Sequence, residues 1–130
     1  MQERFSGSVK VRYLRREPVI EALRAIAQKL IDEDPRVEKV VLFGSLVTGR
    51  QTPRSDADIC VILREEDQRR PMDRIPEFLG FFLKTPVPVD LLVYTRDEVE
   101  ERLREGNRFL AEIVEKGMTL AKAKRTSTAL

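Results

Sequence analysis

The sequence predicts an α/β (α+β) domain, a small mixed β-sheet of three to four strands packed with helices. Three observations predict it. Helical and extended patterns alternate along the chain, which is the arrangement of a sheet covered by helices. The extended runs are short, β-branched and almost wholly apolar, as strands covered on both faces are. Apolar residues make up 42 % of 130 residues and charged ones 35 %, enough for one core under a densely charged surface. No repeat is present, and the chain reads as a basic arm over 1–17, a domain over 18–117 and a basic tail over 118–130.

From Pro18 to about Asp32, Val19, Ile20, Leu23, Ile26, Ala27, Leu30 and Ile31 recur at three- and four-residue spacing. Pro18 suits a first helical turn and "DEDP" closes the run, so this is an amphipathic helix. "KVVLF", Lys39 to Phe43, and "DICVIL", Asp58 to Leu63, are expected to be central strands. Beyond the charged loop "REEDQRR", a helix is expected from about Pro76 to Leu83, and "TPVP" breaks it before a third strand, "VDLLVY", Val89 to Tyr94. Thr95 and Glu98 have capping-box spacing, which predicts a helix over Arg96 to Arg104. A last helix, from about Asn107 to Lys116, is expected to pack Phe109, Leu110, Ile113 and Val114 and to stop at Gly117.

Composition narrows the chemistry. Without histidine, any metal must be held by oxygen, which selects magnesium or manganese over zinc. One cysteine, Cys60, sits in an apolar run and is expected to be buried and inert. The longest apolar stretches fall far short of a membrane span, and "MQERFSGSVKVRYLRRE" has no apolar segment of the signal-peptide kind, so no membrane role and a cytoplasmic location are expected. Net charge is only +2, and the positive charge collects in Lys10, Arg12, Arg15 and Arg16 and again in Lys122, Lys124 and Arg125. Such tails can attract a polyanion or an acidic partner, but they are weak support for nucleic acid.

The chemistry concentrates in "FGSLVTGRQTPRSDAD". Strand side chains alternate faces, so Asp56 and Asp58, two apart at the entrance to the second strand, should project to one side. Carboxylates held that close repel unless a cation neutralises them, and Mg²⁺ binds well through one or two carboxylates plus phosphate oxygens. Upstream, the first strand runs into Gly44-Ser45, where a glycine backbone, turn N–H groups and a hydroxyl can receive anionic oxygens. Asp90 is an ionised residue in an otherwise apolar third strand. If that strand lies beside the one led by Asp58, it joins the cluster and can take a proton from an attacking hydroxyl.

Gly-Ser, a short bend, Asp-x-Asp and a later "VPVDLLVY" together resemble the DNA polymerase beta-type nucleotidyltransferase superfamily. The short length most resembles its minimal nucleotidyltransferases, commonly the antitoxin half of HEPN toxin pairs. The resemblance covers about residues 18 to 117 and implies a nucleotidyltransferase fold. It implies that Gly44 and Ser45 hold nucleotide phosphates, that Asp56 and Asp58 bind the metals, two ions in all, and that Asp90 is the third ligand and base. Thr48 stands where the family often has a basic residue, and Arg50 or Arg54 is expected to supply that charge. The activity implied is transfer of AMP from Mg-ATP to a hydroxyl on a HEPN-type toxin. The alternatives are a non-catalytic antitoxin acting by occlusion, and transfer to a small molecule such as an aminoglycoside, for which 130 residues leave no helical acceptor domain.

Overall fold

The structure, a computed structural model, describes residues 15–49 and 56–124. Arg50 and Arg54, the basic arm before residue 15 and the tail beyond Lys124 lie outside the described residues.

Helix α1 (Arg16–Glu33) buries Val19, Ile20, Leu23, Ala27, Leu30 and Ile31, the stripe its spacing predicts. It begins two residues before Pro18. Strand β1 (Val37–Phe43) follows, then a single helical turn, α2 (Ser45–Thr48). Strand β2 is Ala57–Leu63 and helix α3 is Pro71–Leu79, continued by a 3₁₀ turn at Gly80–Phe82. Strand β3 (Val89–Thr95) leads into α4 (Arg96–Arg104), then α5 (Arg108–Lys116) and strand β4 (Met118–Lys122).

Most element ends differ from the sequence reading by one or two residues, and two differences are larger. The third helix starts at Pro71, not Pro76: Pro71 takes the first-turn position a proline fills without loss, and the helix absorbs Pro76 in its second turn. Met118–Lys122, assigned to the tail, is a strand of the sheet. Its five residues set Thr and Lys among Met, Leu and Ala, a mixture that suits a strand paired on one edge only.

The sheet order is β3-β2-β1-β4. Strand β1 is antiparallel to β2 and β4, and β2 is parallel to β3. On one face, α1, α3 and the 3₁₀ turn close the main core around Leu42, Ile59, Val61, Val93, Phe78 and Phe82. On the other, α5 seats Leu110 and Ile113 on Val41, Cys60 and Ile62. Cys60 is fully buried, and burial pushes its thiol up to about 12, so it is inert as expected. The capping box at Thr95 forms, with Glu98 N–H donating to Thr95 Oγ1 at 3.1 Å and Thr95 N–H donating to Glu98 Oε1 at 2.9 Å. Among the described residues no helix is long and apolar enough to cross a membrane.

Candidate active site

The candidate site lies where β1 ends and β2 and β3 begin. Phe43, the last residue of β1, pairs with Asp58, and on the opposite side Asp58 pairs with Asp90 of β3. Neighbouring strands run about 4.7–4.9 Å apart, and directly paired residues point to the same face. The two aspartates therefore stand side by side on the face that carries Cys60 and Leu92. Asp56, the residue before β2, is near enough to act on Asp58 electrostatically.

Asp58 is half-buried, and its pKa lies above the ordinary carboxylate value, first because of burial and then through the charges of Asp90 and Asp56. Among the described residues none of the three aspartates is held in an ion pair. Nor, among those residues, does any group of three acidic or cysteine side chains stand ready to hold a metal ion by itself.

Gly44 joins the turn to this cluster. Its φ of 85° with ψ of −152° is open to glycine and strained for other residues. An added Cβ would overlap Oδ2 of Asp58, so the missing side chain is the room the carboxylate occupies. The Gly44 carbonyl then accepts from Val47 N–H at 3.0 Å and Thr48 N–H at 3.1 Å, and Gly49, at φ 82°, ends the turn. Ser45 opens the helix, where the first N–H groups have no acceptor within the helix itself.

Sequence reasoning missed what braces and walls this turn. Arg16 donates from Nε to the Leu46 carbonyl at 2.6 Å and from Nη2 to the Val47 carbonyl at 3.2 Å, tying the start of α1 to the middle of α2. In the sequence Arg16 was one more charge in a basic arm. Phe109 and Val114, expected in the core, are 51 % and 52 % exposed; Leu110 and Ile113 alone are buried from that set. Phe109 instead meets Phe43 edge to face, centroids 5.7 Å apart. Both line a pocket of about 240 Å³ that also touches Gly44, Thr48 and Asp58. Gly117, read only as a helix stop, has a second reason to be glycine: a Cβ there would overlap the Ile113 carbonyl and come within 2.6 Å of Val41 Cγ1.

Residues 23–121 match the model of the nucleotidyltransferase domain family. The chain belongs to the nucleotidyltransferase domain family. Its fold is similar to that of a putative nucleotidyltransferase from Sulfolobus solfataricus, with a TM-score of 0.62 at 17 % identity and 100 % of each chain covered. Weaker likenesses are to a toxin-antitoxin complex with AMP-PNP (22 % identity, 81 % of this chain, 74 % of that one, TM-score 0.47). Another is to a tri-AMPylated HEPN toxin from Shewanella oneidensis in complex with MNT antitoxin (19 %, 85 % and 75 %, TM-score 0.43). No curated protein matches the chain. The nucleotidyltransferase match spans every element from within α1 to β4, so the Gly-Ser turn and all three aspartates lie inside it.

Proposed function

We propose that the protein transfers a nucleoside monophosphate, AMP from Mg-ATP, to a hydroxyl on a partner protein such as a HEPN-type toxin. The observation that carries this reading is the convergence on Asp58: Asp90 beside it in register, Asp56 two residues before it, and Gly44 against its carboxylate. The partner rests on the resemblance of the motif and on the small size of the domain.

Gly44 and Ser45 receive the triphosphate oxygens, through backbone N–H groups and the Ser45 hydroxyl. The acceptor oxygen attacks the α-phosphorus in line, the bond to the β-phosphate breaks, and pyrophosphate leaves. Asp90 takes the proton from the acceptor hydroxyl. A donor set of carboxylate oxygens with unneutralised charge suits Mg²⁺ or Mn²⁺, and Asp56, Asp58 and Asp90 would hold it. Substrate phosphate oxygens would complete the shell, as Mg²⁺ is commonly bound through one or two carboxylates plus phosphates. When bound, the ion offsets negative charge on the triphosphate and on the leaving pyrophosphate.

The test mixes the protein with α-labelled ATP, Mg²⁺ and the product of the adjacent gene. Label on that product, absent in EDTA, is expected. A tight but unlabelled complex would replace transfer with occlusion. Calorimetry should likewise find ATP binding dependent on Mg²⁺, since the three carboxylates otherwise repel the triphosphate. Equal affinity in EDTA would count against the site.

A further inference from the structure

The pocket beside Asp58 is walled for a ring more than for a phosphate. Phe43, Val47, Phe109 and Ile113 supply apolar surface, and 240 Å³ is below the roughly 300–1,000 Å³ of pockets that enclose whole drug-sized ligands. Such a space takes one ring system and leaves the rest of a nucleotide outside.

Its surroundings decide which ring. Gly44 and Asp58 are among its lining residues, so a group seated there remains within a nucleotide's length of the turn assigned to phosphates. Phe109 is half exposed, and its contact with Phe43 has the planes at 82°. An edge-to-face pair covers one ring face where a stacked pair covers two, leaving aromatic surface free to stack on a guest. At the rim, Glu112 and Lys116 bring an acceptor and a donor from one side of α5, and among the described residues neither is taken up in an ion pair. The edge of a heteroaromatic base offers a donor and an acceptor on separate atoms, one for each group, whereas a tyrosine side chain from an acceptor would have to meet both through one oxygen.

The geometry points to this pocket as the seat of the nucleobase of the triphosphate substrate, with Phe109 as its stacking platform. The inference rests on the nucleotidyltransferase reading and adds to it the place of the base.

The sequence contains no tryptophan, so Phe109→Trp puts a lone indole reporter at the pocket. Its emission should be quenched by Mg-ATP and, at higher concentration, by adenosine, but not by inorganic tripolyphosphate. Phe109→Ala should weaken Mg-ATP binding by about ten- to a hundredfold, the range of one base–aromatic stack, while tripolyphosphate affinity stays as in the parent. Phe109→Tyr should restore Mg-ATP binding and keeps the test decisive if the Ala variant fails to fold. The inference is overturned if ATP and tripolyphosphate both bind but Phe109→Ala leaves ATP affinity unchanged. A rise only in the KM for the acceptor would give the pocket to the acceptor side chain and overturn it equally. If the parent binds neither ATP nor tripolyphosphate, the nucleotidyltransferase reading falls, a different and recognisable failure that takes the base site with it.

Discussion

Carboxylates gather at both ends of the same three strands, and the two ends treat them differently. Where β1 starts and β2 and β3 finish, Asp34, Asp67, Glu77 and Glu98 are all paired. Arg36 bridges Asp34 at 2.7 Å and Glu77 at 2.5 Å, and Arg69 bridges Asp67 at 2.6 Å and Glu77 at 2.8 Å. Arg74, fully buried, reaches Glu98 at 2.7 Å and also donates to the carbonyls of Val93, Asp67 and Arg69. The hydrogen-bonded guanidinium groups hold all four carboxyls below their ordinary range. At the other end Asp58 is pushed the opposite way, by burial and by two more carboxylates. A fold that pairs these four acids with arginine at one end leaves, among the described residues, Asp56, Asp58 and Asp90 without an ion pair at the other, and clustered charge of that kind is common at functional sites.

The sharpest way to break this contrast is to remove one charge at each end, an acid at the unpaired end and the buried arginine at the paired one. Asp56→Asn or Asp58→Asn should lower transfer by at least about a thousandfold, roughly 4 kcal/mol of barrier, with no loss of stability in EDTA. Thermal melts run beside the transfer assay decide this. A lower melting temperature with transfer intact would make the aspartates structural. At the paired end, Arg74→Met should do the reverse. Stripping the cation from a buried network should lower stability by about 3 to 5 kcal/mol, seen in denaturant unfolding, while transfer per folded molecule holds.

These ends were not equally legible in the sequence. The Gly-Ser turn and the Asp-x-Asp pair announced themselves because their spacing is local, and the strand period alone puts Asp56 and Asp58 on one side. Asp90 needed a guess about strand neighbours, which the parallel pairing of β2 with β3 supports. Arg74 was illegible: in "MDRIPEF" it looks like surface charge, and only the return of the chain through β3 and α4 buries it against Glu98. Arg16 was hidden for the same reason, since its partners lie 30 and 31 residues away. Helix periodicity placed Leu110 and Ile113 correctly but could not tell that Phe109 flanks the stripe and faces a pocket.

A smaller effect sharpens the unpaired end. Ser45→Ala should weaken use of ATP by about ten- to a hundredfold, the value of one charge-assisted hydrogen bond of roughly 1.5 to 3 kcal/mol. Because α2 is held by Leu46 burial and by Arg16 on the Leu46 and Val47 carbonyls, the turn should survive the change. An unchanged KM for ATP with an unchanged turnover would remove the hydroxyl from the phosphate site.

The smallest expected effect is a difference in sign with pH. Asp58 has a raised value in the folded protein, so its contribution is fully present below the ordinary 3.8 and is lost as pH rises through the folded value. In metal-free protein, Asp58→Asn should therefore gain on the parent as pH climbs from acid toward neutrality. Glu98 is the opposite case. Its lowered value means that the stability it contributes is present above the ordinary 4.5 and is lost as pH falls through the folded value. Glu98→Gln, which can keep the capping geometry, should trail the parent most at neutral pH and catch up in acid. Melts of the three proteins in EDTA from about pH 3 to pH 7 would show two difference curves: that for Asp58→Asn rising with pH and that for Glu98→Gln falling. If the Asp58→Asn curve were flat, Asp58 would feel neither burial nor its two acidic neighbours, and the distinction between the ends of the sheet would reduce to the arginines alone.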